Sequence, residues 1–321
     1  MTGTRNYSID TLKFVCAVLV VLIHVPGMGR EEYRPVTRLA VPCFFMISGY
    51  LLYQAEGMEE RLKRSLKNVA WILLWGTALY ALIEVVRACQ TGNWELFTWK
   101  CLFAFAVFNC NQFGYHLWYL AAYLYVLMIA VLLGRRKLWR VCFAAIPLLL
   151  LANLAIGKYS QVLWGRNWPL HYSLNFLLTG LPYFAIGCLI KKYRERLSGF
   201  SLKLTIGGGI LTVFTSLGEH WWLRSIGCDG LGDIYVSTTF LAICVFVTTL
   251  KVEQTKPSIW SQLGEHYSLY IYVFHVAWLE LSRMFIPEIW EQGAFVCVAP
   301  GVILLLTIGT IYALRRLRIL R

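Results

Sequence analysis

Apolar runs of crossing length, separated by short charged loops, are what most constrains this chain. Ten can be drawn, at about 10–28, 37–55, 69–88, 115–133, 138–156, 174–190, 203–219, 234–250, 265–286 and 293–313. Covering a bilayer core takes roughly 17–25 apolar residues per helix, and every backbone polar group must be satisfied within the span. The chain is 58% hydrophobic and only 15% charged, against roughly a quarter charged in a soluble domain. The expectation is an all-α polytopic membrane bundle of about ten transmembrane helices, forming a single domain over residues 1–321. The second and sixth runs are short. The stretch 96–110 is too short to cross and reads as re-entrant or interfacial.

The net charge of +13 does not point to nucleic acid. The cations sit in clusters between apolar runs, as topology-setting charge does. Arg5, then Arg61 to Lys67, Arg135 to Arg140, Lys191 to Lys203, Lys251 with Lys256, and Arg315 to Arg321 fall on alternate loops, and the opposite loops carry fewer. That bias predicts both termini in the cytoplasm. No small-residue cleavage site follows the first run, so it reads as a retained span. The ten cysteines show no metal-ligand spacing, and no metal is expected. Cys89, Cys101, Cys110 and Cys228 fall in or near outer loops. No GxSxG elbow, HExxH or P-loop is present.

Polar residues inside the apolar runs then need a reason, because they are costly there and usually mark function. Lys13 and His24 are eleven residues apart. On a helix that brings the chain back within about 20° of the same face, about 16 Å further along. One stripe of the first span therefore carries a cation near its inner end and an imidazole in its outer half. Lys13 either pairs with Asp10 or faces an anion at the inner mouth of a cavity. His275 and Glu84 are expected at depths similar to His24. Ser268 shares a face with His275. Arg61, Arg64 and Lys67 share a helix face, where they serve topology or hold phosphate. In the second span Pro42 should break one backbone bond, Ser48 and Gly49 permit close helix approach, and Phe44 and Phe45 are candidates to line an acyl channel. His116, Trp118 and Tyr119 belong at the outer rim, as an aromatic belt or a sugar platform.

In order along the chain, these residues resemble the acyltransferase-3 family of bacterial integral-membrane acyltransferases. The family's Arg-x10-His pattern aligns with Lys13 and His24. Its Pro-x-Phe-Phe-x-x-Ser-Gly pattern aligns with Pro42, Phe44, Phe45, Ser48 and Gly49. Its Arg-x-x-Arg pair aligns with Arg61 and Arg64, its His-Leu-Trp-aromatic-Leu start with residues 116–120, and its Phe-x-x-Gly with Phe184 and Gly187. Its late span aligns with Leu263, Gly264, Ser268, Tyr270 and His275. The departure is Lys13, which keeps the charge and loses the bidentate fork of arginine.

The resemblance implies a bacterial cytoplasmic-membrane enzyme that moves an acyl group, often acetyl, from cytoplasmic acyl-CoA to a hydroxyl of an extracytoplasmic glycan or glycolipid. Lys13, Arg61, Arg64, Phe45 and Ser48 would hold acetyl-CoA. His24 would be general base, with Ser268, Tyr270 and His275 beside it and Ser48 and Tyr50 as further oxyanion donors. Glu84, His116, Trp118 and Tyr119 would meet the acceptor. The same family forms the membrane part of membrane-bound serine racemases, so a small-molecule transporter, for serine among others, is the alternative. No soluble racemase domain follows the tenth run. Nothing in the sequence sets an oligomeric state.

Overall fold

The computed structural model describes residues 6–54, 56–94, 98–100, 103 and 112–320. Arg5, Arg321, Cys101, Cys110 and most of the 96–110 stretch lie outside them. Among the described residues all regular structure is helical. The helices are α1 (Ser8–His24), α2 (Arg30–Thr37), α3 (Ala40–Leu52), α4 (Met58–Thr91), α5 (Trp118–Arg135), α6 (Trp139–Ile156), α7 (Ser160–Trp164), α8 (Leu181–Lys192), α9 (Arg194–Ser198), α10 (Leu202–Ser225), α11 (Val236–Lys251), α12 (Ile259–His266), α13 (Ser268–Phe285) and α14 (Gly293–Arg316). Against ten expected crossings, five helical segments among the described residues are long and apolar enough to cross a membrane: Arg30–Leu52, Met58–Thr91, Tyr115–Arg135, Trp139–Ile156 and Gly293–Arg316. Val236–Lys251 is a shorter apolar helix.

Local sequence explains the boundaries. α1 ends at His24 because Pro26 follows; a residue before proline is pushed out of the helical region, and Val25 is extended, with φ −88° and ψ 123°. The second expected span, 37–55, corresponds to α3, which is set off from the preceding α2 by a break at Arg38–Leu39. Pro42 is then the third residue of α3, in the first turn, where backbone N–H groups have no acceptor within the helix. It breaks no bond, contrary to expectation. α4 runs for 34 residues, about 51 Å at 1.5 Å per residue, and overshoots a hydrocarbon core of about 30 Å. Its first turns, rich in Glu, Lys and Arg, therefore project into water.

The chain divides into two compact units. The first holds residues 1–40 and 248–321, and so pairs α1 and α2 with α12 to α14. Here α12 lies against α1 with main chains in contact. A Cβ placed on Gly264 would fall 1.6 Å from the carbonyl oxygen of Asp10, so only glycine fits. Phe14 and Trp260 stack beside it at 5.6 Å. Ser258 and Ser261 close a capping box at the start of α12, and the backbone N–H of Tyr7 donates to Gln254 at 2.9 Å.

The second unit spans residues 41–247. Its centre is a reciprocal crossing of α3 and α8. The carbonyl oxygen of Phe184 lies 2.0 Å from where Gly49 would carry a Cβ, and that of Met46 lies 2.0 Å from where Gly187 would. Ser48 sits at the same crossing, its hydroxyl turned back to the Phe44 carbonyl at 2.9 Å. Leading into α8, a π turn at Phe176–Gly180 is capped by the Asn175 side chain, which accepts from the N–H groups of Leu177 and Leu178. The buried Asn153 of α6 anchors that turn, donating to the Ser173 carbonyl at 2.8 Å and to the Thr179 hydroxyl at 2.9 Å. Overpacking a close contact typically costs 1–3 kcal/mol. Gly187→Ala and Gly264→Ala should each destabilise by about 3 kcal/mol or more, read as a lower midpoint of thermal unfolding in detergent, whereas Gly207→Ala, at a position with open space, should not.

Candidate active site

In the first unit, α1 and α13 bring His24 and His275 together, with ring centroids 5.3 Å apart and planes inclined at 39°. His275 is fully buried and His24 partly exposed. The Nδ1 of His275 lies 2.9 Å from the Ile271 carbonyl of its own helix. A carbonyl can only accept, so Nδ1 carries the proton and Nε2 is the lone-pair nitrogen. Arg30 and Arg38 add positive potential at the His24 ring, and Arg30 is fixed by donating to the Ile23 carbonyl at 2.7 Å. Both arginines read from sequence only as loop charge; their neighbour in space was the missing information.

Near the N-terminal end of α1, Lys13 donates to Asp10 at 2.8 Å. Of the two uses open to Lys13, the ion pair with Asp10 is formed, with the lysine side chain 25% exposed and the aspartate 5%. Ser268 gives its hydroxyl proton to the Gly264 carbonyl at 2.6 Å. Tyr270, two residues on, is half-buried.

The second unit carries the remaining candidates in three groups. Phe44 and Phe45 of α3 face Tyr119 of α5, at 6.0 and 4.7 Å between ring centroids. Glu84, buried, pairs with Arg87 at 2.8 Å, and one turn earlier on α4 Tyr80 meets His116 edge-on at 4.7 Å. His116 and Tyr119 are buried and Trp118 is partly exposed, so only Trp118 has a rim residue's exposure. Tyr50 is buried against Phe246 at 5.5 Å, beneath the ammonium of Lys191. Arg61, Arg64 and Lys67 are exposed on the first turns of α4.

One polar cluster escaped the sequence entirely. Lys158, in the loop after α6, is 1% exposed. It pairs with Asp229, donates to the Gly230 carbonyl at 3.1 Å and lies over the Tyr235 ring. Gly230 and Gly232 admit the backbone of residues 157 and 158 where side chains would collide. Beside it Tyr159 donates to Glu219, which also accepts from the N–H and hydroxyl of Ser237. The signal in hindsight was the spacing Gly157-Lys158 and Asp229-Gly230-x-Gly232, which carries meaning only once both loops are known to touch. Among the described residues, Cys89 and Cys228 form no disulfide.

A helical protein with several segments long and apolar enough to cross a membrane is the class that this fold defines. The chain belongs to the acyltransferase-3 family, whose model, an acyltransferase domain, matches residues 6–315. It is 25% identical over 303 residues to a serine/alanine racemase of Enterococcus gallinarum, an alignment covering 84% of this chain and 40% of that protein. It is 30% identical over 191 residues to an amino-acid racemase of Enterococcus faecalis, covering 56% of this chain and 26% of that one. The chain thus spans less than half the length of these relatives. No solved structure matches it.

Breaking a buried ion pair from one side typically costs 3–5 kcal/mol. Lys158→Met should therefore destabilise by about 3 kcal/mol, with part regained when Asp229→Asn is added, in thermal unfolding of the purified protein. Burial and the hydrogen bond to Glu219 hold the Tyr159 phenol above its ordinary range. The folded state keeps that phenol neutral while the unfolded chain ionises near pH 10, so stability should fall as pH rises past 10. Tyr159→Phe should flatten that decline.

Proposed function

We propose that this chain is an acyl-CoA-dependent O-acyltransferase of the bacterial cytoplasmic membrane. It would carry an acyl group, acetyl in the simplest case, from the cytoplasmic side to a hydroxyl of a cell-surface glycan or glycolipid, with both termini inside. The observation that carries the reading is the His24–His275 pair within an apolar helical unit, in a chain that the acyltransferase-domain model matches almost end to end.

In this mechanism His24 is the general base. Neutral imidazole takes the proton of the acceptor hydroxyl as its oxygen attacks the thioester carbonyl. The tetrahedral oxyanion forms in the positive potential of Arg30 and Arg38, where charge stabilisation contributes most. Collapse expels the coenzyme A thiolate, and the imidazolium returns its proton to that sulfur. His275 acts on the position of His24. Its own Nδ1 proton is committed to Ile271, so it presents a lone pair and not a charge. Arg61 and Arg64, exposed on the first turns of α4, are assigned to the donor's phosphates. Glu84, His116, Trp118 and Tyr119 are assigned to the acceptor.

General-base catalysis contributes typically 10²–10⁴-fold. His24→Ala should lower kcat by about 10²-fold or more while coenzyme A still raises the unfolding midpoint; unchanged turnover in that variant would remove His24 from the chemistry. The racemase relatives favour a second reading, a membrane module that moves serine. Uptake of labelled serine into vesicles without coenzyme A dependence would support it, and coenzyme A-dependent acylation without uptake would dismiss it.

A further inference from the structure

A cavity of about 430 Å³ opens in the second unit where α3, α5 and α8 end and α4 and α6 begin. Lys137, Arg140 and Lys192 line it together with Tyr53, Trp139 and Phe143. Loop cations at helix ends ordinarily set topology, but four observations separate these from that role. First, among the described lining residues there is no carboxylate; Glu59, nearby in the same unit, is taken by Lys63 at 2.7 Å and by Arg135. Second, the walls are aromatic. Tyr53 stands edge-on to Trp139 at 5.3 Å, and the Lys192 ammonium lies 5.6 Å over the Phe143 ring. Third, the indole N–H of Trp139 is buried and meets no acceptor among the described residues, although a buried donor normally has one.

The fourth observation is backbone strain. Lys137 has φ +57°, in the left-handed region that favours glycine. It ends α5 in a Schellman turn, with its N–H on the Gly134 carbonyl and that of Leu138 on the Leu133 carbonyl. Glycine is the usual occupant of that position. Strain of this kind persists where a side chain is wanted for another purpose. Here the side chain borders the cavity.

We infer that this cavity is a binding site for a phosphate-bearing aromatic small molecule of the nucleotide class. Lys137, Arg140 and Lys192 neutralise the phosphates. Tyr53 and Phe143 offer ring surface to the base. The volume falls within the 300–1,000 Å³ of small-molecule pockets. The other source of the same phosphate chemistry is a lipid headgroup, since cation clusters at helix ends also attract anionic lipids. The inference concerns binding alone and is read without turnover, so it stands or fails separately from acyl transfer.

The test is thermal unfolding and calorimetric titration of the full chain in neutral detergent, with ADP, adenosine and inorganic pyrophosphate as probes. ADP should raise the midpoint, pyrophosphate less, and adenosine not at all. Lys137→Gly is the decisive variant. It should melt higher than the parent without ligand, by about 2–4 °C, and bind ADP at least tenfold more weakly. Arg140→Gln with Lys192→Gln should weaken ADP likewise, whereas Lys203→Gln, an exposed cation elsewhere, should not. Repeating the titration in nanodiscs of phosphatidylcholine and of phosphatidylglycerol separates the two sources. ADP binding in both supports the nucleotide. Binding abolished by phosphatidylglycerol assigns the cavity to lipid and overturns the proposal, as does undiminished ADP affinity in Lys137→Gly.

Discussion

Main chain resting on main chain is the constraint on which both units depend. Apolar side chains gain little by leaving lipid for a helix interface, so helices in a bilayer associate through close packing and small residues. Gly49 and Gly187 each make room for the other helix's carbonyl, and Gly264 does the same for Asp10. These three positions set where α3 meets α8 and where α12 meets α1. Everything of chemical interest then follows as a matter of placement. Seating α12 on α1 leaves α13, which follows it directly, to run beside α1, and His275 arrives next to His24. Crossing α3 over α8 fixes Phe45 against Tyr119.

Much of this was legible in the chain, and the limits were physical. Apolar runs announced helices, and the small residues at Ser48-Gly49 announced close approach. What no run could announce was the partner. Gly49 needs Phe184, a residue 135 positions away, and periodicity carries no information over that span. The His24–His275 pair was foreseen only as two imidazoles at similar depth. Lys158 gave no sign of itself for a definite reason: a lysine in a loop is ordinarily solvated, and its burial depends on Asp229 and two glycines in a loop about 70 residues later. Pro42 went wrong because the break that precedes it, at Arg38–Leu39, has no strong signal of its own.

The candidate site residues differ in what now holds them. Ser48 and Ser268 have their hydroxyl protons on carbonyls of the preceding turn, an arrangement that serves packing and would have to be exchanged for any bond to a reacting oxygen. Lys13 is balanced by Asp10 and so presents a dipole more than a bare charge. Arg30 and Arg38, by contrast, add their charge where an oxyanion would form. Family membership supplies the class of reaction, and Arg30 and Arg38 place positive charge around the His24 ring.

The length of α4 has a consequence of its own. A rod of about 51 Å in a slab of about 30 Å must lean or stand proud. Its exposed tryptophans, Trp71 and Trp75, are 62% and 48% accessible, and indoles prefer the headgroup boundary. They act as a float line, setting how far the arginine-bearing foot is lifted clear of the lipid. Seating depth therefore becomes a variable of the host membrane: a thinner bilayer would tilt the rod more or leave more of its foot in water, and a thicker one would draw the same guanidinium groups down among the headgroups.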